Sequence, residues 1–175
     1  MKDGQMAIID ALKYALQMEL DGEKFYTVAA LESSNRVGKD LFSWLAGQEG
    51  LHYKRFEEIY AAITAGKDWP LTSVHPGKAV KLGTLFSKLI NEAGTPAATE
   101  ATEIDSADKA IELEIKSRDY YRQREVASSS DDERKFFKAI SAEEQGHYLA
   151  LVDYKEYITD PVDWFTRTEH HLLEG

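Results

Sequence analysis

Two Glu-x-x-His pairs stand at a fixed distance in this chain, and each follows a further glutamate at a matching distance. Glu49-Gly50-Leu51-His52 returns as Glu144-Gln145-Gly146-His147, a shift of 95 residues from 49 to 144. Glu19 precedes Glu49 by the same 30 residues that separate Glu114 from Glu144. Four carboxylates and two imidazoles therefore occur as two copies of one pattern. This is the ligand set with which a four-helix bundle holds two metal ions in its core.

Spacing alone is a weak signal in a chain this rich in glutamate, because a single Glu three residues before a His arises easily. Register is what gives it force. At a shift of 95, Ala15/Ala110, Glu19/Glu114, Tyr26/Tyr121, Phe42/Phe137, Glu49/Glu144, His52/His147 and Tyr53/Tyr148 coincide without a gap. The halves read as copies of one helical hairpin that agree where metal chemistry would need them to.

Composition narrows the setting. At 175 residues and 19.8 kDa the chain fits one domain with a real core. No apolar run approaches the ~18–20 residues that span a bilayer, and the N-terminus lacks a signal-peptide pattern, so the expected location is the cytoplasm, with no membrane partner. The absence of cysteine excludes a disulfide framework, a zinc ribbon, a thiol catalyst and any Cys-ligated iron. A formal charge of −10 argues against nucleic acid and modestly favours the approach of cations.

The pattern of apolar residues predicts four long helices over roughly 5–32, 37–65, 106–127 and 131–158. Polar joints at Ser33-Ser34-Asn35 and Ser128-Ser129-Ser130 make the first and second, and the third and fourth, antiparallel hairpins. Ser130-Asp-Asp-Glu133 is a capping-box pattern, and Pro161 stops the fourth helix. The expected architecture is all-α: one bundle over 1–160, a long crossover over about 66–105 and a C-terminal tail over 161–175. Leu85-Phe86 and Leu89-Ile90 suggest a short amphipathic helix in the crossover, and His75 reads as an exposed loop residue. The tail, with Trp164, Phe165, His170 and His171, reads as a strap or interface segment. Neither of its histidines has a Glu three residues before it. Because Trp69, Trp164 and Phe165 look exposed on a single bundle, a homodimer is expected, with exchange of hairpins as one route to it.

The buried seams can be written out at alternating steps of three and four. They run through Leu12, Ala15, Glu19, Gly22 and Tyr26; Phe42, Leu45, Glu49, His52, Phe56 and Ile59; Ala107, Ala110, Glu114, Ser117 and Tyr121; and Phe137, Ile140, Glu144, His147, Leu151 and Tyr154. All six candidate ligands fall on these seams, where an unpaired carboxylate costs several kcal/mol, and no Lys or Arg shares them. Two divalent ions balance four carboxylates. Oxygen and imidazole donors without sulfur suit iron or manganese, and zinc can intrude. Glu49 and Glu144 are expected to bridge, with Glu19 and one histidine at one end and Glu114 and the other histidine at the opposite end. Tyr26 and Tyr121 are placed to hydrogen-bond a ligand carboxylate. Deleting Glu144 is expected to relieve like charge in the metal-free protein.

Glu19-x6-Tyr26, Glu49-x2-His52, Glu114-x6-Tyr121 and Glu144-x2-His147 together resemble the ferritin-like di-iron carboxylate superfamily, and within it the rubrerythrins. The resemblance covers the four helices and implies a non-haem site for two iron ions that reacts with peroxide or dioxygen. Two departures stand out. This chain lacks the cysteines of the rubredoxin domain that typical rubrerythrins append, so a separate electron donor is implied. The further glutamate that rubrerythrins carry one turn after the third-helix ligand is here Ser117, mirrored by Gly22, which leaves a more symmetric site. The leading expectation is a di-iron oxidoreductase that reduces peroxide or dioxygen with electrons from Fe(II). The alternatives are a ferroxidase that feeds an iron store, and a non-enzymatic metal-binding bundle.

Overall fold

Asn35 shows how the first hairpin turns. Its side chain accepts from the backbone N–H groups of Val37 and Gly38, at 2.8 and 3.3 Å, satisfying donors that the first turn of a helix leaves without partners. A computed structural model describes residues 3–70, 89–90, 92–93 and 100–173, with side chains omitted at 3–5 and 168–173. It contains α1 (Asp3–Glu32), α2 (Arg36–Thr64), α3 (Ala101–Ala127), α4 (Asp131–Thr159) and α5 (Pro161–Leu173), and no strand among the described residues. At its far end α2 closes on Gly66, whose φ of 70° suits a residue without Cβ. Gly66 N–H donates to Ile63 and Lys67 N–H to Ala62, a Schellman arrangement that uses up the last carbonyls.

Side-chain contacts give the helix directions. Tyr26 of α1 reaches Glu114 of α3 while Tyr121 of α3 reaches Glu19 of α1, so these two helices are antiparallel. His52 meets Glu144 and Glu49 meets His147, which makes α2 and α4 antiparallel as well. Glu103, in the first turn of α3, contacts Ser33 and Ser34 just ahead of α2. The helices α2 and α3 therefore start at the same end and run parallel. The 29 residues of α2 are about 40 Å long, so the end of α2 and the start of α3 lie about that far apart, as a long crossover requires. Most of the crossover expected over about 66–105 lies outside the described residues. Within it Leu89 and Ile90 are helical, with Ile90 fully buried. Leu85, Phe86 and His75 lie outside the described residues.

Every residue of the four predicted seams is buried except Ser117, which is partly exposed. The core divides into two apolar clusters. One gathers Tyr26, Leu41, Phe42, Leu45, Ile90, Leu151, Tyr154 and Tyr157, and the other Leu12, Phe56, Ile59, Tyr121, Phe136, Phe137 and Ile140. The candidate ligands form a polar layer between them, so hydrocarbon closes the site from both ends.

Three expectations need correction. The third helix begins at Ala101, not near 106. Its first turn carries only one apolar residue, Ile104, toward the core, and Glu103 fixes the turn through the other hairpin. The capping box is half formed: Ser130 Oγ accepts from Glu133 N–H at 3.2 Å, but the Glu133 carboxylate accepts from Ser129 N–H and Oγ, one residue earlier than the pattern implies. The tail is a helix as far as Leu173. Pro161 ends α4 and also opens α5, where a missing N–H costs nothing and φ is already suitable. Trp164 is buried in the first cluster, its Nε1 donating to Asp153 Oδ1 at 2.7 Å, and Phe165 packs against Tyr157. Trp69 lies against Phe136 and Phe137. Trp164 is covered by its own chain and supplies no argument for a partner, and Trp69 and Phe165 are half-buried against the core. The side chains of His170 and His171 lie outside the described residues.

Candidate metal centre

Glu19 comes from α1, Glu49 and His52 from α2, Glu114 from α3, and Glu144 and His147 from α4. None is more than 4% exposed. One chain brings all six together, in two groups that share two members. Glu19, Glu49, His52 and Glu144 form one group, and Glu49, Glu114, Glu144 and His147 the other, each with its ligand atoms within 4.8 Å of one another. The shared pair is the pair expected to bridge, and His52 sides with Glu19 while His147 sides with Glu114.

Both histidines turn Nδ1 inward. His52 Nδ1 is 3.3 Å from Glu19 Oε2 and 3.2 Å from Glu144 Oε1. His147 Nδ1 is 3.2 Å from Glu144 Oε2 and 3.5 Å from both Glu49 Oε1 and Glu114 Oε2. These approaches lack hydrogen-bond geometry. Among the described residues eight buried side-chain polar atoms have no hydrogen-bond partner, and seven of them belong to these six residues. They are Oε2 of Glu19, Oε1 of Glu49, Oε2 of Glu114, both carboxylate oxygens of Glu144, and Nδ1 of each histidine. Buried polar atoms are seldom left unmatched, and seven aimed at one centre fit a cation site.

The titration of the group without a cation reflects the same crowding. Burial, and next the charge of Glu144, push Glu114 up to about 8 against the opposing pull of His147. Burial and the charges of Glu19 and Glu144 raise Glu49 well above the usual carboxylate range. Burial disfavours charge on the imidazoles, yet Glu19 and Glu144 hold His52 well above its ordinary value, and Glu114 and Glu144 do the same for His147. Burial also works against Glu144, but the two histidines outweigh it and hold that carboxyl below the ordinary range. Protons thus collect where a cation would sit.

The tyrosines cross over. Tyr26 of α1 donates to Glu114 Oε1 on α3, and Tyr121 of α3 donates to Glu19 Oε1 on α1. Each hydroxyl engages one oxygen of its glutamate, and the other oxygen is among the partnerless atoms. The sequence placed Tyr26 and Tyr121 beside the ligands but gave no sign that each serves the opposite helix.

Sequence reasoning missed Glu143 and Arg55. The outer nitrogen of His52, Nε2, lies 3.0 Å from Glu143 Oε2, and Arg55 Nη1 donates to both oxygens of Glu143 at 3.2 and 3.1 Å. Burial would raise this carboxyl, but His52 and Arg55 together lower it. A signal was available. At the 95-residue shift Glu143 faces Gln48 and Arg55 faces Ala150, so the repeat breaks directly beside its own ligands.

A cavity of about 110 Å³ opens beside the cluster, lined by Gly22, Tyr26, Glu49, Glu114 and Ser117 among others. It occupies the positions where the sequence carries small residues. A Cβ on Gly22 would lie 3.1 Å from Glu49 Oε2, so glycine there lets the carboxylate keep its place.

Among the described residues no helix is long and apolar enough to cross a membrane. No curated protein and no solved structure matches the chain. The rubrerythrin family profile does match, over residues 10–155, which takes in all six clustered residues, both tyrosines and Glu143. With the helical bundle and its buried carboxylate–histidine layer, that match makes this chain a member of the rubrerythrin family.

Proposed function

We propose that the chain is a non-haem di-iron oxidoreductase that reduces hydrogen peroxide or dioxygen with electrons from Fe(II). The observation that carries this reading is the set of seven partnerless polar atoms from Glu19, Glu49, His52, Glu114, Glu144 and His147 around one centre. Oxygen-rich donors with two imidazoles and no sulfur suit iron, with manganese or zinc as substitutes. Two Fe(II) ions bound here would supply one electron each, so that H₂O₂ and two protons leave as two waters.

The protein's part is positioning, charge and exclusion of water. Glu49 and Glu144 face both halves of the layer, which suits them to bridge, while Glu19 with His52 and Glu114 with His147 would close the two ends. Tyr26 and Tyr121 fix the rotamers of the end carboxylates by holding their outer oxygens. The apolar clusters above and below keep bulk water out, which strengthens every charge interaction inside. The cavity beside Glu49 and Glu114 has room for a molecule the size of peroxide, since a water takes about 30 Å³. Re-reduction would fall to a separate electron-donor protein, because the chain holds no cysteine for a second iron centre.

Reconstitution of metal-free protein with Fe(II) under anaerobic conditions, followed by stopped-flow mixing with peroxide and with oxygen, tests the reading. Uptake of about two Fe(II) per chain and rapid oxidation by either oxidant are expected. Binding without reaction would leave a structural metal site. Oxygen-driven mineral formation in a hollow multi-subunit shell would place the chain among iron-storage proteins instead.

A further inference from the structure

We infer that the two metal positions are unequal: Glu143 and Arg55 fasten the Glu19–His52 position as the retained one, and the Glu114–His147 position is where metal exchanges and small molecules arrive. The inference rests on the proposed metal site and adds a division of labour inside it.

The first observation is the outer contact of each histidine. With Nδ1 turned to the cluster, the proton of a neutral His52 sits on Nε2 and donates to Glu143, 3.0 Å away. Glu143 is itself held by Arg55 through both oxygens. A carboxylate behind a ligating histidine fixes its tautomer and ring angle and raises its basicity. His147 has no such support. Among the described residues nothing hydrogen-bonds its Nε2, and its ring meets the edge of Trp44 at 5.4 Å between centroids. The repeat cannot supply the missing pair, because Gln48 and Ala150 stand at the counterpart positions.

The second observation is independent and concerns access. The cavity touches Glu114, which belongs to the His147 group alone, and Glu49, which both groups share, while neither Glu19 nor His52 lines it. Gly22 and Ser117 keep it open. One half of the site is therefore braced from outside, and the other half is open.

Calorimetric titration of the metal-free protein with Zn(II) reads the difference directly, without any turnover. Two binding steps are expected, separated by roughly 10–100-fold in affinity, the range that an outer carboxylate partner contributes. Glu143→Gln keeps the size of the side chain and removes its charge; it should weaken the tighter step by a similar factor and leave the weaker one in place. In crystals soaked with substoichiometric Co(II), the anomalous peak should lie beside His52. Two equal steps in the unmodified protein would overturn the inference while leaving the metal site intact. Complete absence of binding would overturn both. A cobalt peak beside His147, or a Glu143→Gln protein with both steps unchanged, would remove the role given to Glu143.

Discussion

The two hairpins solve one problem in two ways, and the contrast explains how the halves are joined. In the second turn, Glu133 accepts from Ser129 N–H and Oγ, at 3.0 and 3.2 Å, four residues away in its own hairpin. The counterpart of Ser129 at the 95-residue shift is Ser34, but the counterpart of Glu133 is Gly38. The first turn has no carboxylate of its own. Glu103 crosses from α3 to fill the gap, accepting from Ser34 N–H at 3.2 Å, from Ser33 Oγ at 2.8 Å and from the Tyr154 hydroxyl at 2.6 Å. Only glycine makes this possible, since a Cβ at Gly38 would overlap the Tyr154 hydroxyl and come within 2.5 Å of Glu103 Oε1. One turn is self-sufficient, and the other is stitched to the opposite hairpin.

The same asymmetry reaches the centre. Glu49 and Glu144 are partners in the repeat, yet both oxygens of Glu144 face an imidazole at 3.2 Å, while Glu49 meets one, His147, at 3.5 Å. Without metal, the two histidines outweigh burial and hold Glu144 below the ordinary carboxylate range, while burial and the charges of Glu19 and Glu144 push Glu49 well above it. The expectation that deleting Glu144 relieves like charge therefore passes to Glu49.

The largest effects are expected at these two glutamates. Glu49→Ala and Glu144→Ala should each abolish reaction with oxidant, a larger loss than the roughly 10–100-fold that an outer partner contributes. Their stabilities should part company. In chelator, Glu49→Ala should melt at or above the temperature of the unmodified protein, and Glu144→Ala below it. With metal both should fall below, because each forfeits part of the RT ln(1 + [L]/Kd) that binding to the folded state adds. Identical shifts for the two variants in chelator would erase the distinction.

Next in size come the turns. Glu103→Ala removes an acceptor shared by two donors of the opposite hairpin and one of its own, and should cost about 2–4 kcal/mol of global stability. Glu133→Ala loosens a local cap and should cost about 0.5–2 kcal/mol. Denaturant unfolding of the pair measures this. Equal costs would mean that the crossing carboxylate is no more than another cap.

The same contrast can be sharpened by a pH trend. Folding raises Glu114 from 4.5 to about 8, so its stabilising contribution is complete below pH 4.5 and drains away as pH rises to about 8. The raised histidines act with the same sign above their ordinary range near 6.5. The lowered Glu144 and Glu143 contribute steadily above 4.5 and lose their effect only as pH falls below it. Metal-free protein should therefore melt at progressively lower temperature from pH 5 to 8. Metal-loaded protein should not, because proton competition for the ligands weakens over the same range.

What was legible in the sequence was whatever the repeat preserved. Glu19, Glu49, His52, Glu114, Glu144 and His147 fall on helical seams, and seam position alone fixes their burial and mutual approach. What was hidden depends on contacts between halves that the repeat does not preserve. Glu103 has only Ile104 to announce its helix turn, and its purpose is visible only beside Gly38. Glu143 looks like one more surface acid next to Glu144 until α2 brings Arg55 against it. Trp164 reads as exposed when Pro161 is taken as a stop, and as core once the same proline starts α5. Periodicity reports on one helix at a time, and these residues act between helices.

The most direct test of the account is anomalous diffraction from crystals of iron-reconstituted protein. It predicts two iron peaks per chain about 3.5–4 Å apart, lying between Glu49 and Glu144, with Glu19 and His52 at one and Glu114 and His147 at the other. An empty centre, or iron bound only outside these six residues, would contradict it.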